Sequence, residues 1–172
     1  MTTSRHIEIL PLDPSHDRAA FSCGNPELDE YLKRRARQDQ ARNVANTWLA
    51  TWRGSRDIIG YYTLSNYSID LGELPADTAR RLPRYPMIPA ALIGRMAVVS
   101  TLQGTGRVGP MLLMDAFKKV LHISQTSAVF AVVVHAKTNR VASFYRRHDF
   151  IPLDRDPLTL FVSVGTISKL GL

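Results

Sequence analysis

Two stretches of the sequence carry residue types suited to chemistry. The first is Gln103, Gly104, Thr105, Gly106, Arg107, Val108 and Gly109, set between an apolar stretch and a segment of helical periodicity. Glycines let a backbone approach an anion closely, and a helix N-terminus offers unpaired N–H groups with a partial positive charge. Arg107 adds a full charge, and Pro110 has no N–H, so the donors must come mainly from residues 104–109 or from beyond Pro110. The run lacks the Gly-Lys-Ser/Thr ending of a Walker loop. It comes after about four strands, whereas a dinucleotide fold places its glycines after the first. The second stretch is Phe144-Tyr145 near the end of a helical segment. A phenol with a pKa near 10 stays protonated at neutral pH and can donate a proton to a leaving group. Alone, the pair reads more readily as packed aromatic rings.

No general base stands out. His135 ends an apolar strand and His148 sits in the basic tail of a helix, and both read as structural or solvent-exposed. Cys23 is the one cysteine, so no internal disulfide forms. It precedes a helix start without a histidine partner, which argues against a nucleophile. No metal site is expected.

The chain of 172 residues carries a net charge of +7, from 22 Lys and Arg against 15 Asp and Glu. The basic residues cluster as Lys33, Arg34, Arg35, Arg37 and Arg42, as Arg80, Arg81 and Arg84, and as Arg146, Arg147 and His148. Arginine pairs with phosphate in a bidentate fashion, so this balance suits a polyanion such as nucleic acid, though it also suits a merely soluble surface. No stretch has the length of a membrane span and no signal pattern opens the chain, which makes a cytoplasmic protein the expectation.

These residues need elements to place them. Residues 5–12 read as a strand. Asn25-Pro26-Glu27 reads as a capped helix start, with Leu28, Tyr31, Leu32 and Ala36 on the apolar face. Strands are expected over 47–52 and 58–69, joined by a turn at 54–57. A proline-rich loop over 74–89 with a short helix at 76–81 comes next. A buried strand is expected over 90–99, then the glycine run, a helix after Pro110, a strand over 128–134, a helix over 138–148 and a strand over 158–164. Arg95, inside an apolar strand, needs a partner: it either lines an acceptor site or forms a buried salt bridge. The whole, 1–172, reads as a single α/β domain with a mixed sheet and crossover helices.

The segments Ile93–Val98, Gln103–Gly106 and Leu112–Ala116 together resemble the pyrophosphate-binding motif of the GNAT N-acetyltransferases. Ala142–Leu153 resembles that superfamily's terminal Phe-Tyr motif. Phe21–Asp29, Gly60–Leu64 and Arg84–Pro89 resemble a narrower branch, the toxins of type II toxin–antitoxin modules that acetylate aminoacyl-tRNA. The resemblance spans about residues 7–167. It implies a mixed, mostly antiparallel sheet with a splayed central strand pair and flanking helices. It also implies acetyl-CoA as co-substrate, held by the backbone of Met96, Ala97 and Val98, by Gln103, Gly104, Thr105, Gly106, Arg107, Val108 and Gly109, and by Asn139. Tyr145 would be the general acid. Homodimerisation and a ribbon-helix-helix antitoxin are further implications. Three departures are visible: Asp115 lies one position further from Gly106 than is usual, Val99 replaces an acidic residue, and Asp149 replaces a glycine.

An α-amine has a pKa near 7.7, well below lysine's 10.4, and esterification to tRNA lowers it further, so it can attack without a strong base. With the arginine clusters this favours aminoacyl-tRNA over small amines or protein amines. Arg34, Arg35, Arg37, Arg80, Arg81, Arg84, Arg146 and Arg147 are the expected phosphate contacts, independent of sequence and sensitive to salt. A domain that only binds, having lost catalysis, is the remaining alternative.

Overall fold

β-Branched and aromatic residues dominate Ile58–Asp70, which forms the longest strand, β3. The computed structural model describes residues 5–172. The elements run β1 (Ile7–Pro11), α1 (Pro26–Glu30), a π-helical turn (Tyr31–Arg35), α2 (Ala36–Ala41), β2 (Asn46–Trp52), β3, α3 (Ala76–Ala79), β4 (Met87–Val98), α4 (Val108–Ser124), β5 (Ala131–His135), α5 (Asn139–Arg146), β6 (Ile151–Pro152), β7 (Thr159–Ser163) and α6 (Val164–Ser168). The strand order is β1-β2-β3-β4-β5-β7-β6. It is the mixed, mostly antiparallel α/β arrangement expected, with helices flanking the sheet.

The chain divides into two units, one reaching to Ser65 and including Gly94–Ala116, the other comprising Asn66–Ile93 and Phe117–Leu172. In the first, β1 pairs antiparallel with β2, and β2 with β3, with a bulge between Ala50 and Thr51. Gly54, at φ +78°, turns the chain between β2 and β3. The Asn25 side chain accepts from the N–H groups of Glu27 and Leu28, and Pro26 fills a position whose N–H would be free in any case. Tyr31, Leu32 and Ala36 then bury against Leu12, Phe21, Cys23, Leu49, Ile58, Tyr61 and Ala97. The expected regular helix is interrupted here: Ala36 N–H reaches back to the Tyr31 carbonyl, a π-type bond.

In the second unit β4 runs parallel to β5, and β7 pairs antiparallel with both β5 and β6. Ile69, Leu74, Ile88, Ala90, Ala131, Val133, Leu153 and Phe161 form its core. β4 begins at Met87, three positions earlier than the sequence suggests, because Pro89, though unable to donate, still accepts from the Phe130 N–H at 2.9 Å. Strand β6 and helix α6 lie outside the sequence expectation, and β5 starts later, at Ala131. No helix among the described residues is long and apolar enough to cross a membrane.

Candidate active site

The parallel ladder between β4 and β5 covers Ala90–Ile93 against Ala131–Val134 and stops there, while β4 continues to Val98. Met96, Ala97 and Val98 occupy that continuation. Ala97 is buried, and the Val99 N–H is tied to the Ile59 carbonyl at 2.9 Å.

A short 3₁₀ turn, Ser100–Leu102, leads into the glycine run. Gly104 and Gly106 sit at φ +76° and +70°, where L side chains are strained, and the space above their Cα atoms is open. Among the described residues, the N–H groups of Gly104, Gly106 and Arg107 donate to no carbonyl. Those are free donors in a turn with two left-handed glycines, leading into a helix N-terminus, a fit for the oxygens of a phosphate. Two side chains of the run are engaged elsewhere. Gln103 Nε2 donates to the Cys23 carbonyl at 2.5 Å and the Val98 carbonyl at 2.8 Å, so it acts as a strut. Arg107 donates to the Arg5 carbonyl at 2.5 Å, and its guanidinium lies 5.1 Å from the Trp52 ring centroid. Anion binding therefore falls to the backbone rather than to the Arg107 charge. Thr105 Oγ1 closes the turn by donating to Leu102. Val108 and Gly109 already belong to α4, and the Val108 side chain is buried. Pro110 is tolerated there because first-turn N–H groups have no intrahelical acceptor.

The start of α4 is seated tightly. A Cβ on Gly60 would lie 3.0 Å from the Ala97 carbonyl oxygen, from Leu112 Cδ1 and from Val108 Cγ1. One residue pair over, the Tyr62 hydroxyl donates to Asp115 Oδ2 at 2.6 Å. Burial, then that hydrogen bond, pushes the Tyr62 phenol far above its ordinary value. Sequence reading missed this pair, as it missed the Gln103 strut, because neither shows in local spacing.

Thr138 caps α5 by accepting from the Val141 N–H. Asn139 begins the helix and is exposed. Tyr145 is buried against Phe144 and Phe150, each ring edge-on with centroids 5.2 Å away. Its hydroxyl enters no hydrogen bond among the described residues. Burial raises its pKa, which keeps the phenol proton-bearing.

Arg34, Arg35 and Arg37 are exposed on the helical run, Arg34 beside Glu30 at 2.8 Å. Arg80, Arg81, Arg84, Arg146 and Arg147 are exposed in the second unit, Arg80 paired with Asp77. Arg95 forms no salt bridge among the described residues: its guanidinium stacks 3.6 Å from the Tyr31 ring centroid. The Tyr31 hydroxyl in turn donates to Asp39 at 2.8 Å. Burial and the neighbouring Asp29 push the Cys23 thiol up to about 11, so it stays protonated and inert. Burial first, then Arg147, holds His148 below its usual pKa.

No family model matches the chain. A probable toxin TacT of Sinorhizobium fredii strain NGR234 is 31% identical over 170 residues, covering 94% of this chain and 93% of the relative. A tRNA-acetylating toxin of Mycobacterium tuberculosis strain H37Rv is 30% identical over 151 residues, 88% of each chain. The chain belongs to the acetylating-toxin branch of the GNAT superfamily. A solved structure, AtaT complexed with acetyl-methionyl-tRNAfMet, superposes on this GNAT toxin with a TM-score of 0.89 at 26% identity, covering 97% of this chain and all of the other (100%). AtaTR bound with AcCoA gives a TM-score of 0.83 at 25% identity, covering 96% of this chain and 98% of the other. This GNAT toxin is thus an N-acetyltransferase.

Proposed function

We propose that this protein transfers the acetyl group of acetyl-CoA to the α-amine of aminoacyl-tRNA in the cytoplasm, and so blocks translation until a ribbon-helix-helix antitoxin restrains it. The observation that carries this reading is the end of the β4–β5 ladder at Ile93, with β4 continuing into a glycine run of free N–H donors. In this reading residues 1–172 work as one catalytic domain, assembled as a homodimer.

The acetyl thioester supplies the acyl group. The backbone of Met96, Ala97 and Val98 holds the acetyl and pantetheine portion, the run 103–109 holds the pyrophosphate through its free N–H groups at Gly104, Gly106 and Arg107, and Asn139 adds a contact. Tyr145 keeps its proton because it is buried, and gives it to the sulfur as the C–S bond breaks. Arg34, Arg35, Arg37, Arg80, Arg81, Arg84, Arg146 and Arg147 hold tRNA phosphates as independent point contacts.

The test is acetyl transfer from labelled acetyl-CoA to total charged tRNA, with deacylated tRNA and Tyr145→Phe as controls. Label on charged tRNA alone, absent with the variant, supports substrate and acid together. Label only on small amines or protein amines overturns the tRNA assignment.

A further inference from the structure

His135 is the first residue of β5 beyond the last parallel rung, Ile93 against Val134. Its Nδ1 lies 3.0 Å from the Thr159 Oγ1 of the facing strand, where His135 and Thr159 are register partners. Thr159 Oγ1 in turn lies 2.6 Å from Asp156 Oδ2. That geometry fixes the proton positions. Thr159 has one hydroxyl proton, and a carboxylate can only accept, so the proton points at Asp156. Thr159 Oγ1 must therefore accept from His135, which places the imidazole proton on Nδ1 and the lone pair on Nε2. The Thr159 hydrogen bond holds the Asp156 carboxyl below its ordinary pKa, as an ionised acceptor requires. The ring is further held edge-on to Tyr67, centroids 5.6 Å apart. Thr159 is buried, whereas His135 remains exposed to solvent.

We propose that His135 is the proton acceptor for the attacking amine, with Thr159 and Asp156 as positioning residues that keep the Nε2 lone pair free. The inference rests on the acetyl-transfer reading above. The amine nitrogen forms a bond to the acetyl carbon and the C–S bond breaks. The proton shed by the nitrogen goes to His135 Nε2, while the sulfur takes one from Tyr145, and both side chains re-equilibrate with solvent. A carboxylate orienting an imidazole through hydrogen bonds so that one nitrogen is free to take a proton is established acyl-transfer logic. Here a threonine hydroxyl stands between the two.

The experiment compares wild type, His135→Gln, Thr159→Val and Asp156→Asn in acetyl transfer, with charged tRNA and small primary amines run side by side. His135→Gln is expected to lower kcat by about 100-fold or more while acetyl-CoA binding holds within about two-fold. The acidic limb of the wild-type pH–rate profile should vanish in this variant, and imidazole should restore activity to His135→Ala. Among the described residues, Tyr67 meets the ring edge-on and Asp156 reaches it through Thr159, so Asp156→Asn should move that limb and Thr159→Val should lower kcat by a smaller factor. A kcat for His135→Gln within about three-fold of wild type at every pH, or no rescue by imidazole, overturns the proposal. Wild-type transfer to amines but not to charged tRNA overturns the tRNA assignment alone, and His135 is then judged on the amine. No wild-type transfer to either overturns both.

Discussion

The Phe150 N–H donates to the Tyr145 carbonyl at 3.3 Å, and the two rings meet edge-on at 5.2 Å. The Asp149 N–H donates to the Arg146 carbonyl at 3.2 Å, with Asp149 itself at φ +69°. Together these make the Schellman closure of a helix end, including its apolar contact. The device that ends α5 is thus also the device that orients Tyr145.

Tyr145→Phe should separate chemistry from folding. The hydroxyl makes no hydrogen bond among the described residues, so the thermal midpoint should move little. Loss of the acid should lower kcat by about 100-fold or more. Differential scanning fluorimetry beside an acetyl-transfer assay checks both halves.

Asp149→Gly should stabilise the fold. An L residue in the left-handed region costs about 1 kcal/mol, partly offset by the added freedom of glycine in the unfolded chain, so a net gain of roughly 0.5 kcal/mol is expected. Urea titration reads it, and an unchanged or lower midpoint would contradict the strain argument.

Gly60→Ala and Gly104→Ala should fail differently. At Gly60 the new methyl meets backbone and side chains at 3.0 Å, so about 1–2 kcal/mol of overpacking is expected, with weaker acetyl-CoA binding as the start of α4 shifts. At Gly104 nothing lies within 4 Å, so the cost is backbone strain of about 1 kcal/mol. Calorimetric acetyl-CoA binding with urea titration distinguishes the two routes.

Alkali should unfold the protein progressively from about pH 10. Burial raises the phenols of Tyr31 (to about 12), Tyr61, Tyr62 and Tyr145. An unfolded tyrosine releases its proton near pH 10, while these keep theirs, so above pH 10 the folded state binds more protons and stability falls as pH rises. The Tyr31 contribution to that slope levels off near pH 12. Denaturant midpoints taken between pH 7 and 11 should begin to fall at about pH 8.5, where the unfolded Cys23 thiol ionises while the folded one, raised to about 11, does not, and should fall more steeply above about pH 9.5 as the tyrosines join.

Binding of charged tRNA should weaken as salt rises. Replacing Arg35 and Arg37 with Gln should reduce the log–log salt slope by about 0.7–0.9 for each phosphate no longer neutralised. Filter binding across a salt series measures it, and an unchanged slope would remove those residues from the interface.

Much of this was legible in the sequence because it is local. Asn25 and Pro26 announced the first helix, the β-branched and aromatic residues over 58–69 announced β3, and the glycine run with its adjoining apolar periodicity announced α4. The roles of Arg107 and Gln103 were not legible, since their partners Arg5 and Cys23 lie about 100 and 80 positions away in sequence. His135 read as structural because the residues that fix its tautomer come from another strand and the loop before it. Asp156 and Thr159, three apart, do carry a local turn signature, but nothing in the sequence joins it to β5.

The π-helical turn at Tyr31–Arg35 bears on how this surface can vary. A π turn is an α-helix holding one inserted residue. Deleting a single position from Lys33–Arg35 would return the run to regular helix with α1 and α2 still in phase, because the wide turn has already absorbed the roughly 100° that one more residue adds. A homologue shorter by that one residue would therefore lose a cation from the turn and keep Arg37 on the face it occupies here.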